Sequence, residues 1–280
     1  MCTLKRDNPV ISLITINYHD VEMTASCVAI AKKSCEEAKV TYEILVVDNS
    51  GWETGELLRK SVPADTKIII NMENVGFAKA CNEAAMRAEG KFLLFVNNDA
   101  RINGETVSRG MRYLTTHEEV GIWSCKLLSN SGVVQQSYSK FPTILSVAKE
   151  YLLGRTELHT VNDGDDVVYV DVVVGAVVMI PASLYLDLEG FSEKYFFTSE
   201  DVDLCRRMAI NHKLVVWDPS ASAVHIGGAS QNYDWISDPY LHKYRVAYFR
   251  NNHGRIAATI ISVIIIAGLS LRKIKKHFPV

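Results

Sequence analysis

The sequence lacks both glycine-rich signatures by which many nucleotide-binding chains are recognised. No G-x-G-x-x-G follows the first β-branched run, which removes the phosphate cradle of a dinucleotide-binding Rossmann unit. No G-x-x-x-x-G-K-[ST] occurs either, which removes the P-loop enzymes. Six cysteines, at 2, 27, 35, 81, 125 and 205, form no C-x-x-C pair, which argues against a zinc site or disulfide framework and fits a reducing cytosol. The formal net charge of −2 leaves no basic excess to mark a nucleic-acid partner. Internal repeats and low-complexity stretches are missing too. Near the N-terminus, Lys5, Arg6 and Asp7 precede VISLITI, which is too short and too β-branched for a secretory signal. What remains is a 280-residue chain, 48% hydrophobic and 22% charged, enough for one large domain or a domain with an appendage.

What is present is a repeated strand ending. Residues 91–101, KFLLFVNNDAR, run from a buried-type strand straight into Asn97, Asn98 and Asp99. Two readings stand at that point. These residues cap the next helix, or they face the crevice that lies beyond the carboxyl ends of strands in open α/β sheets. The same ending recurs upstream, where 10–16 stops at Asn17 and Tyr18 and 42–47 stops at Asp48 and Asn49. Between these strands, helical spacing is predicted over 20–38, 53–61 and 77–88. In the last of these, Phe77, Ala80, Cys81, Ala84, Ala85 and Ala88 form one apolar stripe. Alternating strands and helices predict an α/β fold with a mostly parallel central sheet covered by helices. Three polar strand ends on one edge predict a nucleotide-binding crevice.

The second half is less regular. Helices are expected over 104–116, 144–153, 198–210 and 238–252, and strands over 121–123, 167–180 and 213–217. Three organisational units follow, over 1–101, 102–236 and 237–280: the first reads as a nucleotide-binding unit and the last as C-terminal helices.

With no glycine-rich phosphate loop, a nucleotide needs another counter-charge. A divalent metal held by Asp99 would supply it, since a hard cation takes carboxylate oxygen and bridges phosphates. Asn74, Gly76 and Asn82 surround a turn at a helix start, where an ordinary cap is the competing explanation. Thr198-Ser199-Glu200-Asp201 opens another helix. Its acids complement the helix dipole, or, behind Phe196 and Phe197, one of them serves as a general base. His225 lies in a Gly-rich loop with Gly227 and Gly228. It is structural or exposed unless the fold brings it beside Asp99, where imidazole suits a borderline cation such as Mn²⁺.

In order and spacing, LITINYHD (13–20), ILVVDNS (44–50), NVGFAKACNEA (74–84), FLLFVNNDA (92–100), VVGAVVMI (173–180), GFSEKYFFTSEDVDLCRRM (190–208) and AVHIGGAS (223–230) resemble glycosyltransferase family 2. The likeness is to its rhamnosyltransferase-like members, which build bacterial surface polysaccharides of the O-antigen kind. The resemblance implies a GT-A fold and inverting transfer of one sugar, with rhamnose the suggested sugar, from a dTDP- or UDP-linked donor to a saccharide or polyprenyl-diphosphate-linked acceptor. It also implies that 1–101 is the nucleotide-sugar-binding half and 102–236 the acceptor-binding and catalytic half. Asn17, Tyr18, Asp48, Asn49, Asn74, Gly76, Phe77, Asn82, Asn97 and Asn98 would then bind nucleotide-sugar. Asp99 and His225 would hold Mg²⁺ or Mn²⁺. Asp201, paired with Glu200, matches the family's catalytic base.

Two departures bear on this. The family's D-x-D reads Asn97-Asn98-Asp99, so Asp99 needs His225 or the substrate diphosphate to complete a cation site. The Q-x-x-R-W signature of processive synthases is replaced by QNYDW at 231–235, which favours one sugar per acceptor. A sugar-1-phosphate nucleotidyltransferase is the rival enzyme, but Asn17-Tyr18-His19-Asp20 is not its Arg/Lys-bearing phosphate loop. A membrane-attached nucleotide-sugar-binding protein with a degenerate site is the rival non-enzyme.

The tail, IAATIISVIIIAGLSL (256–271), is followed by Arg272, Lys273, Lys275 and Lys276. As a helix it would measure about 24 Å, short of a ~30 Å hydrocarbon core. It is expected to lie at the inner face of the cell membrane, its basic end on anionic lipid, making the protein cytoplasmic and peripheral. Burial in a homo-oligomer or as a core helix is the alternative.

Overall fold

The computed structural model describes residues 9–154, 166–227 and 238–277, with side chains described as far as 272. Gly228, the QNYDW stretch and the side chains of Lys273, Lys275 and Lys276 lie outside the described residues. The elements run β1 (Ile11–Asn17), α1 (Val21–Glu37), β2 (Tyr42–Asp48), α2 (Trp52–Ser61), β3 (Lys67–Ile70), α3 (Phe77–Ala85), β4 (Phe92–Val96), β5 (Ala100–Arg101) and α4 (Gly104–Thr116). They continue with β6 (Val120–Leu128), β7 (Val134–Gln135), β8 (Tyr138–Ser139), α5 (Ile144–Leu153), β9 (Val168–Val170), β10 (Val172–Val173) and β11 (Val177–Pro181). The last are α6 (Ala182–Asp187), α7 (Glu200–Ile210), β12 (Leu214–His225) and α8 (Pro239–His277).

The main sheet is ordered β3-β2-β1-β4-β11-β6-β12-β5. Its first four strands are parallel, as the alternation of strands and helices predicts. Beyond them the sheet is mixed: β11 enters antiparallel between β4 and β6, while β6 and β12 are parallel to each other. Pro181, the last residue of β11, pairs with Phe92, the first residue of β4.

The sheet is apolar on both sides, and this accounts for the unbroken hydrophobic runs of β2, β4 and β11. On one face, Cys27, Val28 and Ala31 of α1, Leu58 of α2, and Val107 and Leu114 of α4 pack over it. On the other, Ala80, Cys81 and Ala84 of α3, Tyr185 of α6, and Leu204, Cys205 and Met208 of α7 do the same. The five described cysteines are buried and unpaired, in accord with their scattered spacing.

Three elements differ from their sequence expectation. The strand expected over 121–123 extends to Val120–Leu128, because its residues pair with β12 along almost their whole length. His225 belongs to β12 and not to a loop: it pairs with Ala100 of β5. The helix expected over 238–252 and the apolar tail form one element, α8, bent at Gly254 with φ 85°. Among the described residues α8 is long and apolar enough to cross a membrane by length and composition. One side of it, however, packs through Ala257, Ala258, Ile261 and Ile265 onto Val147 and Tyr151 of α5. Gly268 lets the two helices meet, since a Cβ there would come within 2.6 Å of the Tyr151 carbonyl oxygen.

Candidate active site

Register places the polar strand ends at one edge. Asn17 lies opposite Asp48, and Ile14 opposite Phe95, so Asn97 falls level with Ile16. Above that edge opens a cavity of about 720 Å³. Its floor is Ile16, Tyr18, Asn49 and Asn97–Asp99, one flank is Asn74, Gly76 and Phe77, and the other is Gly175, Phe196–Thr198, Glu200 and Asp201. Asp238 and Tyr240, at the start of α8, complete the rim.

Of the residues expected to bind nucleotide-sugar, Tyr18, Asn49, Asn74, Gly76, Phe77, Asn97 and Asn98 line this cavity. Asn17, Asp48 and Asn82 do not, and their expected place in the pocket is corrected. Asn17 and Asp48 are fully buried beneath it. The Asn17 amide donates to Asp48 at 2.7 Å and accepts from the Thr24 hydroxyl, which in turn accepts from the Asn98 amide at 3.0 Å. They form a polar layer under the floor that fixes Asn98. Asn82 is not among the residues lining the cavity and ties α3 to the 185–191 segment. It accepts from the Tyr185 hydroxyl at 2.7 Å and from Phe191 N–H, and donates to the Phe191 carbonyl. A polar residue on a helix serves either role, and spacing alone does not separate them.

The floor and the first flank are joined by side-chain amides. Asn74 accepts from Gly76 N–H at 2.9 Å, and Asn49 donates to the Gly76 carbonyl while accepting from Asn71. Gly76 has φ 89°, and a Cβ on it would sit 2.7 Å from the Phe196 carbonyl oxygen. That carbonyl accepts from Phe77 N–H at 3.0 Å. Glycine is required here so that the 196 segment can close onto the helix start.

The acids on the floor and on the second flank of the cavity sit in different environments. Asp99 stands where β5 and β12 meet: one carboxylate oxygen accepts from Gly227 N–H at 3.1 Å and the other lies 3.4 Å from His225 Nε2. Burial pushes the Asp99 carboxyl up, but His225 and the Gly227 N–H outweigh it and hold its pKa below the usual value. Glu200 and Asp201 open α7 after two consecutive left-handed residues, Thr198 (φ 66°) and Ser199 (φ 75°). Non-glycine residues in this region are strained, and such strain gathers at functional sites. Asp201 accepts from Val202 N–H at 2.8 Å and from Gly175 N–H at 3.3 Å. Burial nevertheless raises its pKa. Burial, followed by the Asp201 charge, pushes Glu200 up to about 8, and one Glu200 carboxyl oxygen is buried with no hydrogen-bond partner. The pair therefore shares its ionisation, with Asp201 the member better solvated by N–H groups.

Asp99 and His225 fit a divalent cation in kind: one hard oxygen and one imidazole nitrogen, side by side. No group of three His, Cys, Asp or Glu side chains gathers among the described residues, so the remaining ligands would come from diphosphate and water. The cavity also needs such a charge, because no Lys or Arg is among the described residues that line it. Val174–Ala176 lie in the VVGAVVMI stretch without any residue type that marks a site, and Asp238 and Tyr240 carry no sequence signal that singles them out. Only the insertion of β11 and the return of α8 bring them to the rim.

A parallel half-sheet ending in a polar crevice, joined by an inserted strand to a carboxylate-bearing half, is the GT-A architecture. Residues 12–170 match the family described as Glycosyl transferase family 2, and the chain belongs to that family. Over 142 residues it is 25% identical to Rhamnosyltransferase WbbL of Escherichia coli (strain K12), a match covering 49% of this chain. The match spans about half, 53%, of the length of that curated relative. Two solved structures share the fold. Mannosyltransferase PcManGT from Pyrobaculum calidifontis, in complex with GDP-Man and Mn²⁺, has TM-score 0.60 and 15% identity, covering 95% of this chain and 75% of that one. S. aureus TarS has TM-score 0.53 and 19% identity, covering 86% of this chain and 40% of that one.

Proposed function

We propose that this chain is an inverting, non-processive glycosyltransferase that moves one sugar from a nucleoside-diphosphate sugar to a saccharide or lipid-linked saccharide in cell-surface polysaccharide synthesis. One observation carries the reading: the half-buried Asp201 carboxylate opens on the same cavity as Asp99, from the opposite flank. Donor and acceptor can then meet between a charge-holding wall and a basic one.

Asp201 acts as general base. Its carboxylate takes the proton of an acceptor hydroxyl while that oxygen attacks the anomeric carbon from the face opposite the leaving group. The glycosidic bond forms as the bond to the diphosphate oxygen breaks, and the nucleoside diphosphate leaves with the electron pair. A raised pKa suits a group that must accept a proton near neutrality. Asn49, Asn74, Asn97 and Asn98 bind and orient the nucleotide, and Asp99 with His225 holds Mg²⁺ or Mn²⁺. When bound, that cation offsets the charge developing on the diphosphate. The WbbL likeness supports rhamnose as the sugar; the donor is proposed to be dTDP- or UDP-linked.

The exposed stripe of α8, Ile256, Ile260, Val263 and Ile266, supports attachment to the cytoplasmic face of the membrane, where a polyprenyl-linked acceptor resides. With its other side packed on α5, α8 lies along the surface.

The test is sugar transfer by purified Asp201→Asn, measured beside nucleotide binding. Lost transfer with retained binding is the expected result. Transfer at the normal rate would sink the assignment of the base.

A further inference from the structure

A residue with no obvious motif, Gln135, grips His225 at two points. Its side-chain Nε2 donates to the His225 carbonyl oxygen at 3.0 Å, and its Oε1 lies 2.9 Å from His225 Nδ1. The arrangement is over-determined. A backbone carbonyl only accepts, so the amide NH₂ must face it, which leaves the amide oxygen at the ring. That oxygen also only accepts, so Nδ1 must carry the ring proton. When neutral, His225 is thereby confined to the Nδ1–H tautomer, with an unprotonated Nε2 3.4 Å from Asp99 Oδ1. Two acceptors face each other there, an arrangement that attracts a cation. The imidazolium, which donates from both nitrogens, is instead the form that lowers the Asp99 pKa.

The scaffold behind Gln135 is stiff. β7 pairs with β6 through Gln135 and Leu127, after a tight turn in which Ser129 N–H donates to the Val133 carbonyl at 2.8 Å. Two residues on, the Ser137 hydroxyl accepts from the Trp217 indole N–H at 2.9 Å, pinning the strand to β12 itself. Gln135 and His225 are thus held to neighbouring parts of one sheet.

We propose that Gln135 is a positioning residue for the diphosphate side of the site: it fixes the His225 tautomer that presents a bare Nε2 beside Asp99. The role in cation binding rests on the glycosyltransferase reading above, whereas the tautomer assignment does not.

The experiment uses the full chain, ¹⁵N-labelled at histidine, for long-range ¹H–¹⁵N NMR, with MnCl₂ binding followed by electron paramagnetic resonance. Wild type should show His225 as the Nδ1–H form. Gln135→Met, close in shape but without the amide, should move it toward the Nε2–H form and weaken Mn²⁺ binding by about 10–100-fold, the usual cost of losing an outer-shell partner. Gln135→Glu still accepts from Nδ1–H and should restore both readouts to within roughly threefold of wild type, a rescue that general destabilisation would not give. Gln135→Ala serves in place of Met if that variant does not fold. An unchanged tautomer in the Met or Ala variant overturns the proposal. Should wild type bind no Mn²⁺ while the tautomer still follows residue 135, the positioning role stands and the cation reading of Asp99 and His225 falls.

Discussion

Two carboxylates in one cavity are driven in opposite directions, and the contrast follows from what surrounds each. Asp99 sits at a strand crossing, where an imidazole and an N–H group favour its charge over the cost of burial. Asp201 also accepts two N–H groups, but among the described residues no cationic side chain pairs with it, and Glu200 crowds it from the preceding position. Environments that split two acids in this way assign roles: the group held ionised suits a cation or fixed-charge site, and the raised one suits proton transfer.

The sharpest way to break that comparison is to remove each charge in turn. Asp201→Asn should lower transfer by roughly 10²–10⁴-fold, the range for loss of a general base, with nucleotide affinity little changed in a thermal-shift titration. Asp99→Asn should behave differently, weakening Mn²⁺-dependent nucleotide binding by about 10–100-fold. If both variants lose binding equally, the two acids do not have separate roles.

A third substitution attacks the joint between the two regions. Gly76→Ala must accommodate φ 89° and a contact with the Phe196 carbonyl, and should destabilise the fold by about 1–3 kcal/mol, read as a lower Tm. The 196 segment that leads to Asp201 should loosen with it.

A smaller effect comes from Glu200. Its folded pKa is raised from 4.5 to about 8, so between those values the folded protein holds a proton that the unfolded chain has released. Its contribution is full below pH 4.5 and is lost as pH rises toward 8. Glu200→Gln should remove that dependence, so that its stability advantage over wild type, followed through Tm, grows between pH 5 and 8 to on the order of 1–3 kcal/mol at the upper end. A constant difference across the range would mean that Glu200 is not held protonated by burial.

The least disruptive change is on α8. Val263→Glu with Ile266→Glu, both on its exposed stripe, should cut sedimentation with anionic vesicles by roughly tenfold, with transfer to a soluble acceptor unaltered.

The sequence by itself determined the parallel half of the sheet. Apolar runs ending in Asn or Asp, separated by helical stripes, admit few other arrangements, because each strand must be covered on both faces and its polar end must leave the core. It also marked Asp99, Glu200 and Asp201, since acids at a strand end and a helix start are visible as local pattern. Tertiary structure alone decided the rest. Asn17 and Asn82 look like pocket residues in the chain, yet each is spent on satisfying buried partners, and that depends on what packs beside them. Asp99 and His225 are 126 positions apart, and only the antiparallel pairing of Ala100 with His225 brings them together. Gln135 carries no signal in a plain polar stretch. Its proposed role arises because a hairpin sets its amide against His225, the imidazole beside Asp99.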